Sequence, residues 1–310
     1  MILCCGEALI DMIPVTSTAG EASFAPKAGG AVFNTAIALG RLGGDVGLFT
    51  GVSDDLFGAL LQTELRASGV ATTHLVNKKA PSTLAFVELN HGQAKYTFYS
   101  ENAADTSLTP ADVPRSAQPF DALFFGGISL CTDPSASTLQ AFMRDHCDHS
   151  VIMLDPNIRP TFISDETSYR SRLTDMIDTC DILKVSNEDL NWLIPGTFTV
   201  EDQIRHLAIS QPKLIFVTKG AEGCTVYHGI RPIADMPAKS ANVADTIGAG
   251  DTFNAAILHS LAREGALTKK ILKNPTAQIL ERALHLATSA AAITVSRSGA
   301  NSPWKSELLR

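Results

Sequence analysis

At 310 residues and 45% hydrophobic content, the chain can bury a large core and lies in the range of one big α/β unit with an appendage. A net charge of −7 and a pI near 5.6 argue against nucleic acid or an anionic membrane as the main partner. No apolar run reaches about 18 residues and the N-terminal stretch has no leader pattern, so no membrane-spanning helix and a cytoplasmic location are expected.

In chain order, short apolar runs at 2–5, 46–51, 122–125, 151–155, 181–185 and 214–218 read as buried strands. Helical patterns at 32–42, 56–67, 135–146 and 169–179 lie between them, with another after Asp251 and a last one at 277–295. This alternation predicts a mostly parallel sheet with crossover helices. Such sheets bind ligands beyond the carboxyl ends of their strands. Asp11, Asp155, Asn157, Asn187 and Thr218 all fall just after predicted strands. Two segments break the alternation: 12–27, and 84–88 with 94–100, the latter pair joined by Asn90-His91-Gly92. They predict a small sheet covering the cleft, which would keep water out of a phosphoryl transfer. Period two puts Tyr96 and Phe98 on one face of that sheet and Lys95, Thr97 and Tyr99 on the other. With no repeat or charged linker, 1–310 is expected to be a single domain, its lid formed by about 12–27 and 73–105. The six cysteines contain no C-x-x-C, and adjacent Cys4 and Cys5 point to opposite faces of a strand. Reduced thiols are expected.

The richest stretch is Asp245-Thr246-Ile247-Gly248-Ala249-Gly250-Asp251-Thr252-Phe253. A small-residue turn that opens a helix leaves backbone N–H groups pointing outward at the positive end of the helix dipole, a site for phosphate or a developing anion. Asp251 ends the turn, where a carboxylate is held ionised. It reads either as a helix cap or as a base that takes a proton from a hydroxyl. There is no G-x-x-x-x-G-K-[ST], and G-x-G-x-x-G fails at Phe253, so neither a P-loop nor a dinucleotide fingerprint explains the turn.

D-T-x-G-A-G-D is the signature of the ribokinase-like (PfkB-type) carbohydrate kinases, and Asp245 to Asp251 match every fixed position. Gly6-Glu7-Ala8-Leu9-Ile10-Asp11 resembles that family's first strand. Gly29-Gly30-Ala31-Val32-Phe33-Asn34-Thr35-Ala36 resembles its G-G-x-x-x-N-x-A segment, and Thr218-Lys219-Gly220-Ala221-Glu222-Gly223 its nucleotide loop. The resemblance implies a three-layer α/β/α sandwich with a small β-sheet lid, which is often also the dimer contact. It implies an ATP- and Mg²⁺-dependent sugar kinase, with a monovalent cation such as K⁺ bound nearby in family members.

On this resemblance Asp251 is the general base, and the N–H groups of Gly248, Ala249 and Gly250 form the anion hole. Asp245 is either structural or part of a cation site. Asp11, Gly29, Gly30 and Asn34 hold the sugar, and Phe98 covers it or packs within the lid. Asp155-Pro156-Asn157-Ile158-Arg159 resembles the D-x-N-x-R of fructokinases and 2-keto-3-deoxygluconate kinases, where Arg159 meets phosphate or a sugar acid, or else pairs with a surface acid. Lys184, Asn187, Thr218, Gly220 and Gly223 are assigned to the nucleotide. The family's N-x-x-E is broken, since Leu190 stands three after Asn187; Glu188 and Asp189 are the alternative acids for Mg²⁺. Thr288-Ser289-Ala290-Ala291-Ala292 replaces the usual Asn of the last helix. Lys184-Val185-Ser186 and Asn102-Ala103-Ala104-Asp105 look like fructokinases, so fructose is the expected sugar. 2-Keto-3-deoxygluconate kinase and ribokinase follow, and a non-catalytic sugar- or nucleotide-binding regulator is the reading from a different class.

Overall fold

The computed structural model describes residues 1–90, 93–115, 119–208 and 214–308, with the backbone alone for 88–90 and 93–96. In chain order the strands are β1 (Ile2–Cys5), β2 (Leu9–Thr16), β3 (Ala22–Gly29), β4 (Val46–Ser53), β5 (Leu75–Lys78), β6 (Leu84–Asn90) and β7 (Gln93–Tyr99). They continue as β8 (Ala122–Gly126), β9 (Val151–Asp155), β10 (Ile182–Ser186), β11 (Leu214–Thr218), β12 (Cys224–His228) and β13 (Arg231–Met236). The helices are α1 (Ala31–Arg41), α2 (Leu56–Ala67), α3 (Ser135–His146), α4 (Glu166–Thr179), α5 (Asn187–Leu193), α6 (Val200–Leu207), α7 (Ala249–Arg263), α8 (Lys269–Leu272) and α9 (Ala277–Val295).

The larger sheet runs β13-β12-β11-β10-β9-β8-β1-β4-β5. It is parallel from β11 to β5, while β12 and β13 add an antiparallel edge. Its central strands are apolar on both faces because helices cover both. Successive residues of β1 divide between two cores. Ile2 and Cys4 pack with residues of α1, α7 and α9, whereas Leu3 and Cys5 pack with residues of α3, α4, α5 and α6. The three-layer expectation and the opposed cysteines both hold. Full burial of a Leu or Phe stabilises by ~1.5–3 kcal/mol, so Phe33, Phe49, Phe124 and Phe216, at most 2% exposed, anchor the layers.

The smaller sheet runs β3-β2-β6-β7, with β2 and β6 parallel and the other pairs antiparallel. Within the stretch 73–105, β5 joins the larger sheet beside β4 instead. Asp11 lies inside β2 opposite Lys27, rather than after the first strand. One face of this sheet carries an aromatic ladder: Phe24 meets Phe86 at 5.0 Å and Phe86 meets Tyr99 at 5.5 Å, with Phe24 47% and Tyr99 63% exposed. Phe98 turns the other way, edge-on to Phe162 at 4.1 Å. The side chains of Tyr96 and Lys95, and the His91-Gly92 turn, lie outside the described residues. Among the described residues no helix is long and apolar enough to cross a membrane.

Candidate active site

The turn before α7 is pinned by its first residue. Asp245 Oδ1 accepts from the Ile247 N–H at 3.0 Å and Oδ2 from the Gly299 N–H at 2.9 Å. Both oxygens thus serve the turn, the structural one of the two roles expected for Asp245. Gly248 follows at φ 77°, where an L side chain is strained, and a Cβ there would lie 2.6 Å from Ala300 Cβ. Helix α7 begins at Ala249, so Asp251 is its third residue and not its cap. The capping explanation of Asp251 fails on that point.

Asp251 is buried, and its Oδ2 accepts from Asn34 Nδ2 at 2.9 Å. Thr35, the next residue of α1, donates its hydroxyl to the Asp251 carbonyl at 3.4 Å. Burial pushes the Asp251 carboxyl up to about 7, the Asn34 hydrogen bond and the Lys184 charge pull it down, and the charges of Asp155 and Glu7 push it up. The expectation of a carboxylate held ionised is corrected: desolvation outweighs the Asn34 hydrogen bond and the Lys184 charge, and the carboxyl is pushed up to about 7, where a base is most effective. Among the described residues the N–H groups of Gly248 and Gly250 have no hydrogen-bond partner, while that of Ala249 donates to Thr246 O at 3.3 Å. Two of the three expected anion-hole donors are therefore free.

On the side of α1, Gly30 is the N-cap residue at φ 108° and brings no side chain to the orphan amides. Glu7 supplies the acceptor from across the fold. Its Oε1 takes the Ala31 N–H at 2.9 Å and the Val32 N–H at 3.4 Å, and its Oε2 the Ser129 N–H at 3.2 Å. Asn34 sits one turn later on the helix so fixed. Gly29, just before, lies so close to Asp11 that a Cβ would collide with Asp11 Oδ2. Burial raises the Asp11 carboxyl to about 6. Asp11, Gly29, Gly30, Asn34 and Asp251 thus form a continuous wall.

A second group of residues lies at the carboxyl ends of β9, β10 and β11, against the start of α7. Lys184 Nζ pairs with Asp155 Oδ2 at 3.0 Å, and Asn254 Nδ2 donates to the same oxygen at 2.7 Å. Burial works against the Lys184 ammonium, but Asp155, Asp189 and Asp251 outweigh it, so its pKa is raised. Asn187 Oδ1 is buried without a partner. Thr218 Oγ1 donates to Val185 O at 3.4 Å. Gly220, at φ 55°, faces open space, and Gly223, at φ 103°, packs against the end of β13. Arg159 is exposed, donates to its neighbour's carbonyl at 3.0 Å and, among the described residues, pairs with no acid.

The two candidate acids part company. Asp189 is the closing half of a capping box: its Oδ2 accepts from the Ser186 N–H and hydroxyl at 2.9 Å, and its Oδ1 from the Ile158 N–H at 2.8 Å. Glu188 is exposed. Among the described residues no group of three or more His, Cys, Asp or Glu side chains is placed to hold a metal alone. Sequence reasoning missed Asn254, whose signal is its position three residues after Asp251 on the same helix face. It also missed the capping role of Glu7, which no local pattern reveals.

The pfkB family carbohydrate kinase description matches residues 1–307. A protein named fructokinase from Rhizobium leguminosarum bv. trifolii is 47% identical over 271 residues, covering 87% of this chain and 82% of that one. The crystal structure of fructokinase with bound ATP from Xylella fastidiosa superposes with a TM-score of 0.90 at 28% identity, covering 99% of this chain and 96% of that one. A fructokinase structure from Vibrio cholerae O395, bound to fructose, ADP and calcium ion, gives 0.86 at 25%, covering 99% and 97%. These likenesses establish the three-layer ribokinase-like fold with its separate small sheet.

Proposed function

Since the chain belongs to the pfkB family of carbohydrate kinases, we propose that it transfers the γ-phosphoryl group of ATP to D-fructose, giving fructose 6-phosphate and ADP. Asp11 and the glycine pair Gly29-Gly30 hold the sugar, with Phe98 and its neighbour Phe162 closing over it. Asp251 takes the proton of the acceptor hydroxyl as that oxygen forms its bond to the γ-phosphorus. The bond from phosphorus to the bridging oxygen breaks, and ADP leaves with those electrons. The N–H groups of Gly248 and Gly250 receive the charge that grows on the transferred group; removing one such donor typically costs about 100- to 1000-fold in rate.

Thr218, Gly220 and Asn187 line the nucleotide side, and Arg159 is the exposed cation for its phosphates. The residues fit a hard cation: the unpartnered Asn187 Oδ1 and the exposed Glu188 carboxylate are oxygen donors suited to Mg²⁺ held partly through water. When bound, that ion offsets charge on the phosphates. A monovalent cation, if bound, would lie near Asp245, whose two carboxylate oxygens already accept from the Ile247 and Gly299 amides. The aromatic ladder of Phe24, Phe86 and Tyr99 is the face through which two copies pair, and the six free cysteines suit a reducing cytoplasm.

The observation that carries the proposal is the buried Asp251 carboxylate, capping nothing and held at one oxygen by Asn34. A coupled assay across sugars tests it. ADP release should be far faster with fructose than with ribose or 2-keto-3-deoxygluconate, and the reverse ranking would reject fructose.

A further inference from the structure

Glu7 belongs to the Gly6-to-Asp11 motif, yet neither proton removal nor the anion hole uses it. It lies between β1 and β2 and is 1% exposed. Helix α1 depends on it, because Gly30 at the N-cap position has no side chain to offer. Glu7 Oε1 accepts from the Ala31 and Val32 amides, and Oε2 accepts from the Ser129 amide in the turn after β8. Glycines shape the niche around this carboxylate. A Cβ on Gly127, at φ 67°, would strike Glu7 Oε1, and one on Gly30 would stand 3.1 Å from Glu7 Cγ. A Cβ on Gly6 would come within 2.6 Å of Val32 Cγ2 and 2.8 Å of Ser129 Oγ, so the three segments meet without room for more.

A cap that serves helix stability alone can be local. Thr199 caps α6 and Asp55 caps α2 from the residue just before each helix. Such a cap does not fix where the helix sits on the sheet. Glu7 reaches α1 from 24 positions away and ties its first amides to the ends of β1 and β8. That helix begins directly after Gly29-Gly30 and carries Asn34 one turn in, and Asn34 and Thr35 both bond to Asp251. We propose that Glu7 is a positioning residue for sugar phosphorylation, its carboxylate setting where α1 sits on the sheet and, through Asn34, the direction in which the Asp251 carboxylate meets the acceptor hydroxyl. This role rests on the transfer chemistry proposed above. A misplacement of about 1 Å far from the chemistry can cost about 100-fold in rate, so such an anchor matters to turnover beyond the stability it adds. Asn187, Thr218 and Gly220 lie at the ends of β10 and β11, and none of the three amides that Glu7 holds belongs to those strands. The effect therefore belongs to the use of fructose and not to ATP binding.

Two variants of the full chain test this, with a third as control. Glu7→Ala removes both acceptors, while Glu7→Gln keeps the shape and one acceptor. Thr199→Ala removes an ordinary local cap. In Glu7→Ala, kcat/KM for fructose should fall at least about 30-fold with Kd for ATP changed less than about threefold. Glu7→Gln should recover part of that loss, and Thr199→Ala should lower the thermal midpoint while leaving fructose kinetics unchanged. Where Glu7→Ala does not fold, Glu7→Gln decides, with a fall of at least about threefold expected in kcat/KM for fructose and none in ATP affinity. Near-normal fructose kinetics in the deciding variant overturn the role of Glu7 and leave the kinase reading intact, as does a loss spread equally over fructose and ATP. A wild-type protein that phosphorylates no sugar removes the kinase reading itself, and the role of Glu7 with it.

Discussion

Asn34 and Asp251, 217 positions apart in the chain, meet in a 2.9 Å hydrogen bond that joins helix α1 to the first turn of α7. It engages one carboxylate oxygen, leaving the other for the acceptor hydroxyl under the proposed mechanism, and it lowers the proton affinity of a carboxyl that burial raises. A base works only when deprotonated, so kcat/KM should fall as pH drops through about 7. Asn34→Leu removes the stabilising donor and should move this acid limb to higher pH, in addition to weakening fructose binding. Rate profiles from pH 5 to 9 check this; an unmoved limb would detach Asn34 from the base.

Asp245 should matter through shape. Asp245→Ala leaves the Ile247 and Gly299 amides without their acceptor, at a cost of ~1–3 kcal/mol. We expect a lower thermal midpoint together with a lower kcat, because the same bonds aim the Gly248 and Gly250 amides. Calorimetry and the coupled assay on one preparation separate the two effects.

Tyr99→Asp or Phe24→Asp places a charge in the exposed aromatic ladder. Sedimentation equilibrium should report twice the 33.0 kDa chain mass for the wild type and the single chain mass for either variant. A wild type of single mass would exclude this face as a contact.

Asp105, buried and accepting from Thr83 Oγ1 at 2.6 Å, is pushed by burial from an ordinary 3.8 to about 7. The folded state then holds its proton more tightly than the unfolded chain. Its contribution to stability is greatest below the unfolded value and is lost as pH rises toward 7. Asp105→Asn keeps an acceptor for Thr83 without the charge, so its thermal midpoint should exceed the wild type's by more at pH 8 than at pH 5. Equal differences at both pH values would contradict the assignment.

Much of this was legible in the letters. Ile2–Cys5, Val151–Asp155 and Leu214–Thr218 are strands at the positions the apolar runs predict, because strands covered on both faces must be apolar throughout. Leu75–Lys78 and Arg231–Met236 went unseen, since half-exposed edge strands carry weak patterns and the second contains Pro232. The turn from Asp245 to Asp251 announced itself because only glycine tolerates the backbone at Gly248. The grip of Glu7 on α1 and of Asn254 on Asp155 did not, because side chains 25 and 99 positions apart meet only once the fold exists.

The most direct test replaces Asp251 by Asn, which keeps size and a partner for Asn34 while removing the proton acceptor. With purified protein, ATP, Mg²⁺ and fructose, turnover should fall at least about 100-fold with fructose binding largely kept. Turnover near that of the wild type would contradict the account.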